Sequence, residues 1–340
     1  MSEVLSLTAL RTLIDSWIAG GRRVAGPRLV NDRLLYDWLG SASQLTLDAA
    51  ARPRNSIKEF LFPRHEKLYG YTLGRKRAEL TEIALPQTEQ IVIAAQPCDA
   101  ASGPILDHVF NWDYADAAYN RRRELTTIVT LACQSFDAQC FCTSVGSGPD
   151  DPRGSDAMLY ALDEGILEIR CLTEKGRRLF AGHTEPSDVK GSVTKGPPLR
   201  FDLDKVGAFL KSGFEDAQWP DLARRCLACG ACAYTCPTCH CFDIVDEGAG
   251  GQGVRARNWD ACQFGMFTLH AAGHNPRGQQ AQRQRQRIYH KFRIYPQKFG
   301  TLLCTGCGNC TRNCPAGLGV HPVLSAISRK AQEASGVDKS

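Results

Sequence analysis

No stretch of this 340-residue chain approaches the roughly 18 consecutive apolar residues that would cross a bilayer, so membrane contact is expected only through a partner. No Gly-x-Gly-x-x-Gly follows a strand-like run, and no phosphate-binding loop is present, which leaves no local cradle for a dinucleotide or nucleotide. No pair of cysteines near the chain ends is spaced to hold nickel and iron. Substrate chemistry is therefore expected elsewhere than on this chain. The segment from Met1 to Ala19 lacks the unbroken apolar core of a signal peptide, because Glu3, Arg11 and Asp15 interrupt it, and it reads as an amphipathic helix. Arg22-Arg23 is followed by Val-Ala-Gly-Pro-Arg rather than an apolar run, which argues against twin-arginine export. Acidic residues are absent between Asp260 and Glu333, where ten Arg and Lys lie. As the formal charge is +5, the rest of the chain carries −5. That basic interval has few aromatics placed for base stacking and no nucleic-acid module, so no nucleic-acid partner is expected.

What the chain has in excess is cysteine, sixteen in all, grouped at metal-binding spacings. Such thiols persist only where they stay reduced, and the expected compartment is cytoplasmic. Cys226-x-x-Cys229-Gly-x-Cys232-x-x-x-Cys236-Pro237 recurs, with the same internal spacing, as Cys304-x-x-Cys307-Gly-x-Cys310-x-x-x-Cys314-Pro315. This is a two-cluster ferredoxin signature. Two-residue gaps let three thiolates converge from one turn, and the fourth comes from the other repeat. The run predicts one [4Fe–4S] cluster on Cys226, Cys229, Cys232 and Cys314, and a second on Cys304, Cys307, Cys310 and Cys236. Structural zinc also uses Cys-x-x-Cys pairs, but it joins two couples or adds histidines rather than running three cysteines two apart. Gly230 and Gly308 are expected where the backbone passes close to sulfide. Pro237 and Pro315 turn the chain away from each cluster. A cubane with four thiolates carries roughly −2, so the cations between Asp260 and Glu333 are expected to offset cluster charge and to present a surface to an acidic partner.

Residues 1–215 read as an α/β domain with a mixed or parallel sheet. Gln90–Ala95 and Thr126–Ala132 are continuous apolar, β-branched runs, as expected of strands buried on both faces. Further strands are expected over 28–38 and a hairpin over 158–171, with a helical turn at Ser56–Phe62 stopped by Pro63. Residues 216–340 read as a ferredoxin-like domain carrying a long helical insertion over about 243–300. Within the insertion, Gly248-Ala-Gly-Gly-Gln-Gly is expected as a flexible loop and Gln279–Arg293 as a long exposed helix. A closing helix begins at His321, with Pro322 in its first turn.

Four more cysteines lie in the first domain. Cys98 follows one strand and Cys133 ends the next, at the carboxyl edge where open α/β sheets bind ligands, and Cys140 and Cys142 lie in the adjoining loop. Together they predict a third [4Fe–4S] cluster, with zinc as the rival occupant. Cys171 reads as a small buried residue. Cys239, His240, Cys241 and Cys262 are left over: spare ligands, a redox-active pair or, the preferred reading, groups beside a cluster that tune its potential, with His240 either packed on the cluster loop or ligating iron.

With these pieces assembled, the chain resembles the iron–sulfur β subunit of cytoplasmic, NAD(P)-linked nickel–iron hydrogenases (sulfhydrogenases), and is similarly close to the iron–sulfur subunit of anaerobic sulfite reductase. The residues carrying the likeness are Ser56-Ile-Lys-Glu-Phe-Leu-Phe-Pro63, Gln96-Pro-Cys-Asp99, Cys140-Phe-Cys-Thr-Ser144, Cys236-Pro-Thr-Cys-His-Cys-Phe-Asp243, Asn258-Trp-Asp-Ala-Cys262 and Tyr289-His-Lys-Phe292. Gln96 stands where relatives are expected to carry a basic residue. The resemblance implies a non-catalytic electron-transfer subunit between a flavin subunit that handles NAD(P)H and a catalytic subunit bearing nickel–iron or sirohaem. It also strengthens a metal role for Cys98, Cys133, Cys140 and Cys142. The alternative enzyme reading is a sulfur or disulfide reductase acting through Cys239 and Cys241.

Overall fold

A computed structural model describes residues 2–48, 50 and 52–337. Its twelve strands among these residues are β1 (Ser2–Ser6), β2 (Arg23–Val30), β3 (Arg33–Trp38), β4 (His65–Leu73), β5 (Ala78–Glu82), β6 (Gln90–Ala95), β7 (Thr126–Leu131), β8 (Ala157–Ala161), β9 (Ile166–Cys171), β10 (Glu185–Ser187), β11 (Phe242–Ala249) and β12 (Gln252–Trp259). Eight of them form one mixed sheet in the order β10-β1-β9-β8-β7-β6-β2-β3. The central pairs β2/β6, β6/β7 and β7/β8 are parallel, and the flanking pairs are antiparallel. Alternation explains why β6 and β7 are apolar throughout. Ile91, Ile93 and Val129 enter a core with Leu10, Ile14 and Trp17 of the helix Leu7–Ala19, while Val92 and Ile128 enter another with Phe60, Leu106 and Tyr119 on the opposite face. Both faces of these two strands are therefore covered by protein.

The amino terminus departs from the helical expectation. Residues Ser2–Ser6 pair with β9 and β10 as a strand, and the helix starts only after Ser6, whose hydroxyl accepts from the Ala9 amide. Cys171, at the end of β9, packs against the first core.

A second, four-stranded antiparallel sheet runs β11-β12-β4-β5. It joins strands from residues 65–82 to strands from 242–259, so a sheet crosses the expected division at residue 215. A buried ion network fastens the join. Arg257 bonds Asp116 at 2.5 Å and also holds Glu66, which pairs with Arg122 at 2.5 Å.

The insertion is helical only in its second half. The glycines expected as a flexible loop instead close a hairpin, with Gly250 and Gly251 at positive φ in the turn and Gly248 opposite Gly253. The helix Gln280–Tyr289 continues through a π turn, His290–Ile294, into Tyr295–Phe299. It is not exposed as expected. Arg283, Gln284, Arg287, Ile288 and Lys291 are all buried, because this helix lies over the cysteine motifs and packs in the core that includes Phe201, Trp219, Val323 and Ile327.

Candidate metal centres

The first motif opens from Ala223 through Cys226 into a short helix at Ala231–Tyr234, and the second leads into its counterpart at Asn309–Arg312. Gly230 and Gly308 cap these helices at φ 72° and 78°. Protein atoms alone already require glycine at both positions. A Cβ at Gly230 would lie 2.6 Å from the Phe264 ring, and one at Gly308 would lie 2.4 Å from the Gln139 carbonyl.

Cys226, Cys229, Cys232 and Cys314 line one void, with Gln263, Gln284 and Arg287 in its wall. The crossover predicted from the repeat thus brings Cys314 to the first motif. The Gln280 side-chain amide donates to Cys226 Sγ at 3.1 Å, and the Leu318 amide donates to Cys314 Sγ at 3.2 Å. Cys304 and Cys307 both have Cys236 and Cys310 as electrostatic neighbours, so Cys236 lies beside the second motif. The Val320 amide donates to Cys310 Sγ at 3.3 Å. Lys291, placed by the π turn, donates to Cys236 Sγ at 3.5 Å, to Thr238 Oγ1 at 3.1 Å and to the Leu303 carbonyl at 3.0 Å.

Cys98, Cys133, Cys140 and Cys142 line another void, at the carboxyl edge of β6 and β7. Cys307 and Gly306 of the second motif form part of the same wall. Gly306, at φ 71°, lets the two loops touch: a Cβ there would sit 2.4 Å from the Cys142 Cα, and its carbonyl accepts from the Phe141 amide at 2.9 Å. Arg52 lines this void and bonds the Ser135 carbonyl. Arg312 adds a second cation, bonding Asp137 at 2.8 Å and reaching Cys140 Sγ at 3.7 Å.

The cations of the basic interval are expected only as a group to offset cluster charge; what singles out Arg283, Arg287 and Lys291 is their recurrence every four residues on one helix face, now buried. Arg287 tests whether the sites suit an anionic group. It is 2% exposed, and none of its three guanidinium nitrogens has a hydrogen-bond partner. Its electrostatic neighbours are Cys232, Cys310, Cys239 and Cys262. A buried unpaired cation costs several kcal/mol by an order-of-magnitude reckoning. Thiolates bound to an iron–sulfur core of net negative charge would offset that cost, whereas neutral thiols would not. Burial pushes Cys133, Cys232 and Cys304 up to about 12, so the thiols alone hold their protons.

The leftover cysteines also converge. Cys239 is buried against Cys236, Ala233 and Ala261. Cys241 faces Cys262, which it pulls down to about 6, with Arg287 adding to the effect against burial. The His240 ring meets the Thr238 carbonyl through Nδ1, 3.1 Å away, and burial pulls its pKa down to about 4.

Residues 225–318 match the 4Fe-4S dicluster domain family. The chain is 30% identical over 322 residues to sulfhydrogenase 2 subunit beta of Pyrococcus furiosus, covering 90% of this chain and 92% of that one. No solved structure matches. No helix among the described residues is long and apolar enough to cross a membrane. The spacing of its cysteines, the crossed sets they form and this likeness along nearly its whole length agree: the chain belongs to the iron–sulfur β-subunit family of sulfhydrogenases, with an electron-transfer role and [4Fe–4S] clusters.

Proposed function

We propose that the chain conducts electrons along three [4Fe–4S] clusters in a row. The order is the set Cys98, Cys133, Cys140 and Cys142, then Cys304, Cys307, Cys310 and Cys236, then Cys226, Cys229, Cys232 and Cys314. The observation that carries this reading is contiguity. Cys307 of the middle set lines the wall of the first, and Cys310 of the middle set and Cys232 of the last share Arg287 as a neighbour. A cubane supplies one-electron storage when bound. The protein supplies the thiolates, the amide donors to sulfur, the buried cations and the exclusion of water.

Both ends of the row approach the surface while the middle stays inside. Cys229 is exposed beside Leu227, which is 68% exposed, and at the other end Phe136 of the Cys98 wall is 42% exposed. Each end suits one partner. A flavin subunit handling NAD(P)H and a nickel–iron catalytic subunit fit the two ends, in keeping with the sulfhydrogenase relative, and the equivalent place in a sirohaem sulfite reductase complex is the competing assignment. Residues 1–215 would carry the first cluster and residues 216–340 the other two. A sulfur reductase working through Cys239 and Cys241 is less favoured, because Cys239 is 7% exposed and Cys241 is turned toward Cys262.

Anaerobic iron, sulfide and zinc quantification with EPR during stepwise reduction tests the count. About twelve irons and three interacting reduced signals support the row, whereas about eight irons would limit it to the two ferredoxin-type sets. Co-purification of a nickel-bearing or a sirohaem-bearing large subunit decides the complex.

A further inference from the structure

We propose that Cys241 and Cys262 form a reversible thiol–disulfide couple, a two-electron site apart from the iron-binding sets, whose substrate is a low-molecular-weight disulfide. The two thiols lie 21 positions apart in sequence and belong to none of the three sets above. The β11/β12 hairpin closes that separation. Phe242 pairs with Trp259 at its mouth, and the Asp260 amide donates to the Cys241 carbonyl at 3.0 Å, so the strands deliver one cysteine to each side of the opening. There the two thiols meet, sharing a hydrogen bond, and the Cys262 amide also donates to Cys241 Sγ. Cys239 stands outside the pair, because it is 7% exposed and its thiol meets Cys236 instead. Cys241 and Cys262 are both partly exposed, and Cys241 adjoins the exposed Phe242. That opening suits a small disulfide better than one carried by a folded protein.

Disulfide exchange needs one thiol ionised to attack and a second that stays protonated until its turn. Each member of the pair has its own buried cation. Lys58 is 2% exposed, donates to the Ala233 carbonyl at 3.1 Å, lies 3.7 Å over the Trp259 ring, and has Cys241 among its charge neighbours. The unpartnered guanidinium of Arg287 acts on Cys262, whose sulfur also accepts from the Gln263 side-chain amide at 3.7 Å. These donors favour thiolate at Cys262, which makes it the attacking sulfur. Its thiolate attacks one sulfur of the substrate R–S–S–R, forming Cys262–S–S–R and expelling RS⁻, which takes up a proton. Cys241 then gives its proton to the second leaving group as its sulfur attacks Cys262 Sγ, closing the Cys241–Cys262 bond and releasing a second RSH. The two electrons leaving the pair end on the two released thiols, and no iron changes its oxidation state.

The test uses the full chain, purified anaerobically with its iron in place and equilibrated in glutathione buffers of graded oxidised-to-reduced ratio. Free thiols are alkylated in denaturant, disulfides are located by peptide mass spectrometry, and iron is counted on the same samples. Cleavage after Arg257 and Arg277 leaves Cys262 as the single cysteine of its peptide, so any bond found there reports on one residue. The expected result is a Cys241–Cys262 bond that accumulates as the ratio rises, reverses as it falls, and leaves the iron content unchanged. In Cys241→Ala, Cys262 is expected to keep a bound glutathione that no second thiol displaces. Both thiols recovered free at every ratio would overturn the proposal, and so would a bond found only in samples that have lost iron. If Cys241→Ala does not fold, the map of the unsubstituted protein decides alone. The iron count bears on the row of clusters and not on the pair: about eight irons instead of about twelve would shorten the row, whereas a missing bond leaves it standing.

Discussion

At the scale of single residues, charge placement governs this protein more than shape. Arg287 has no hydrogen-bond partner and lies among thiols of two motifs, so its positive charge acts on whatever negative charge those thiols hold. Removing it makes electron uptake harder. Arg287→Leu is expected to lower the midpoint potential of a neighbouring cluster by roughly 50–100 mV, about 59 mV for each tenfold change in a one-electron equilibrium. An EPR-monitored redox titration reads this directly, and an unchanged potential would show that the guanidinium is compensated in some other way. Cys314 offers a sharper test of the crossover, since it stands in the wall formed by Cys226, Cys229 and Cys232 rather than with its own repeat. Cys314→Ser should abolish the signal of the first motif and leave that of Cys304, Cys307 and Cys310. Loss of the latter instead would refute the crossed arrangement.

Elements hold the cysteine sets at the separations their chemistry needs. The second motif's loop abuts the Cys140–Cys142 turn only because Gly306 combines a left-handed φ with no Cβ. Gly306→Ala is therefore expected to destabilise the protein by about 1–3 kcal/mol and to reduce iron at the adjacent set. Thermal melts and iron counts on the same sample check both effects. The helix through Arg287 and Lys291 shows where sequence reasoning goes astray. A polar, breaker-free run ordinarily marks a solvated face, and the four-residue recurrence of Arg283, Arg287 and Lys291 puts them on one face without saying that this face turns inward to sulfur. The partner charge comes from cysteines as distant in the chain as Cys232 and Cys310, and becomes visible only once the chain has folded. The hairpin β11/β12 is hidden for a related reason, since its glycines read as a loop until β11 and β12 pair in regular register on either side of them.

For the whole molecule, the sheet β11-β12-β4-β5 and the Arg257, Glu66, Asp116 and Arg122 network bind the two halves of the chain. Both Arg257 and Glu66 are nearly inaccessible, at 5% and 7% side-chain exposure. Glu66→Ala strands Arg257 with one partner fewer, and is expected to cost about 3–5 kcal/mol in chemical denaturation. Loading with iron should also depend on pH in a definite direction. Burial raises Cys133, Cys232 and Cys304 to about 12, while iron binds the thiolate, so each ligand must release a proton. Lower pH opposes that release. Reconstitution yield of the iron-free protein is expected to rise between about pH 7 and about pH 9, with proton release measurable in weak buffer.

The two cysteine repeats, their crossover, the buried strands β6 and β7 and the Cys98 set at their edge are legible from sequence, because each is written in local spacing or periodicity. Thiol spacing within one turn and alternation along one strand need no knowledge of what lies opposite. The contiguity of the three sets, the burial of Lys58, Arg287 and Lys291, the sheet joining residues 65–82 to 242–259, and the meeting of Cys241 with Cys262 were decided by the tertiary structure alone. Each depends on groups far apart in the chain whose attraction exists only after folding has brought them together and removed the water between them.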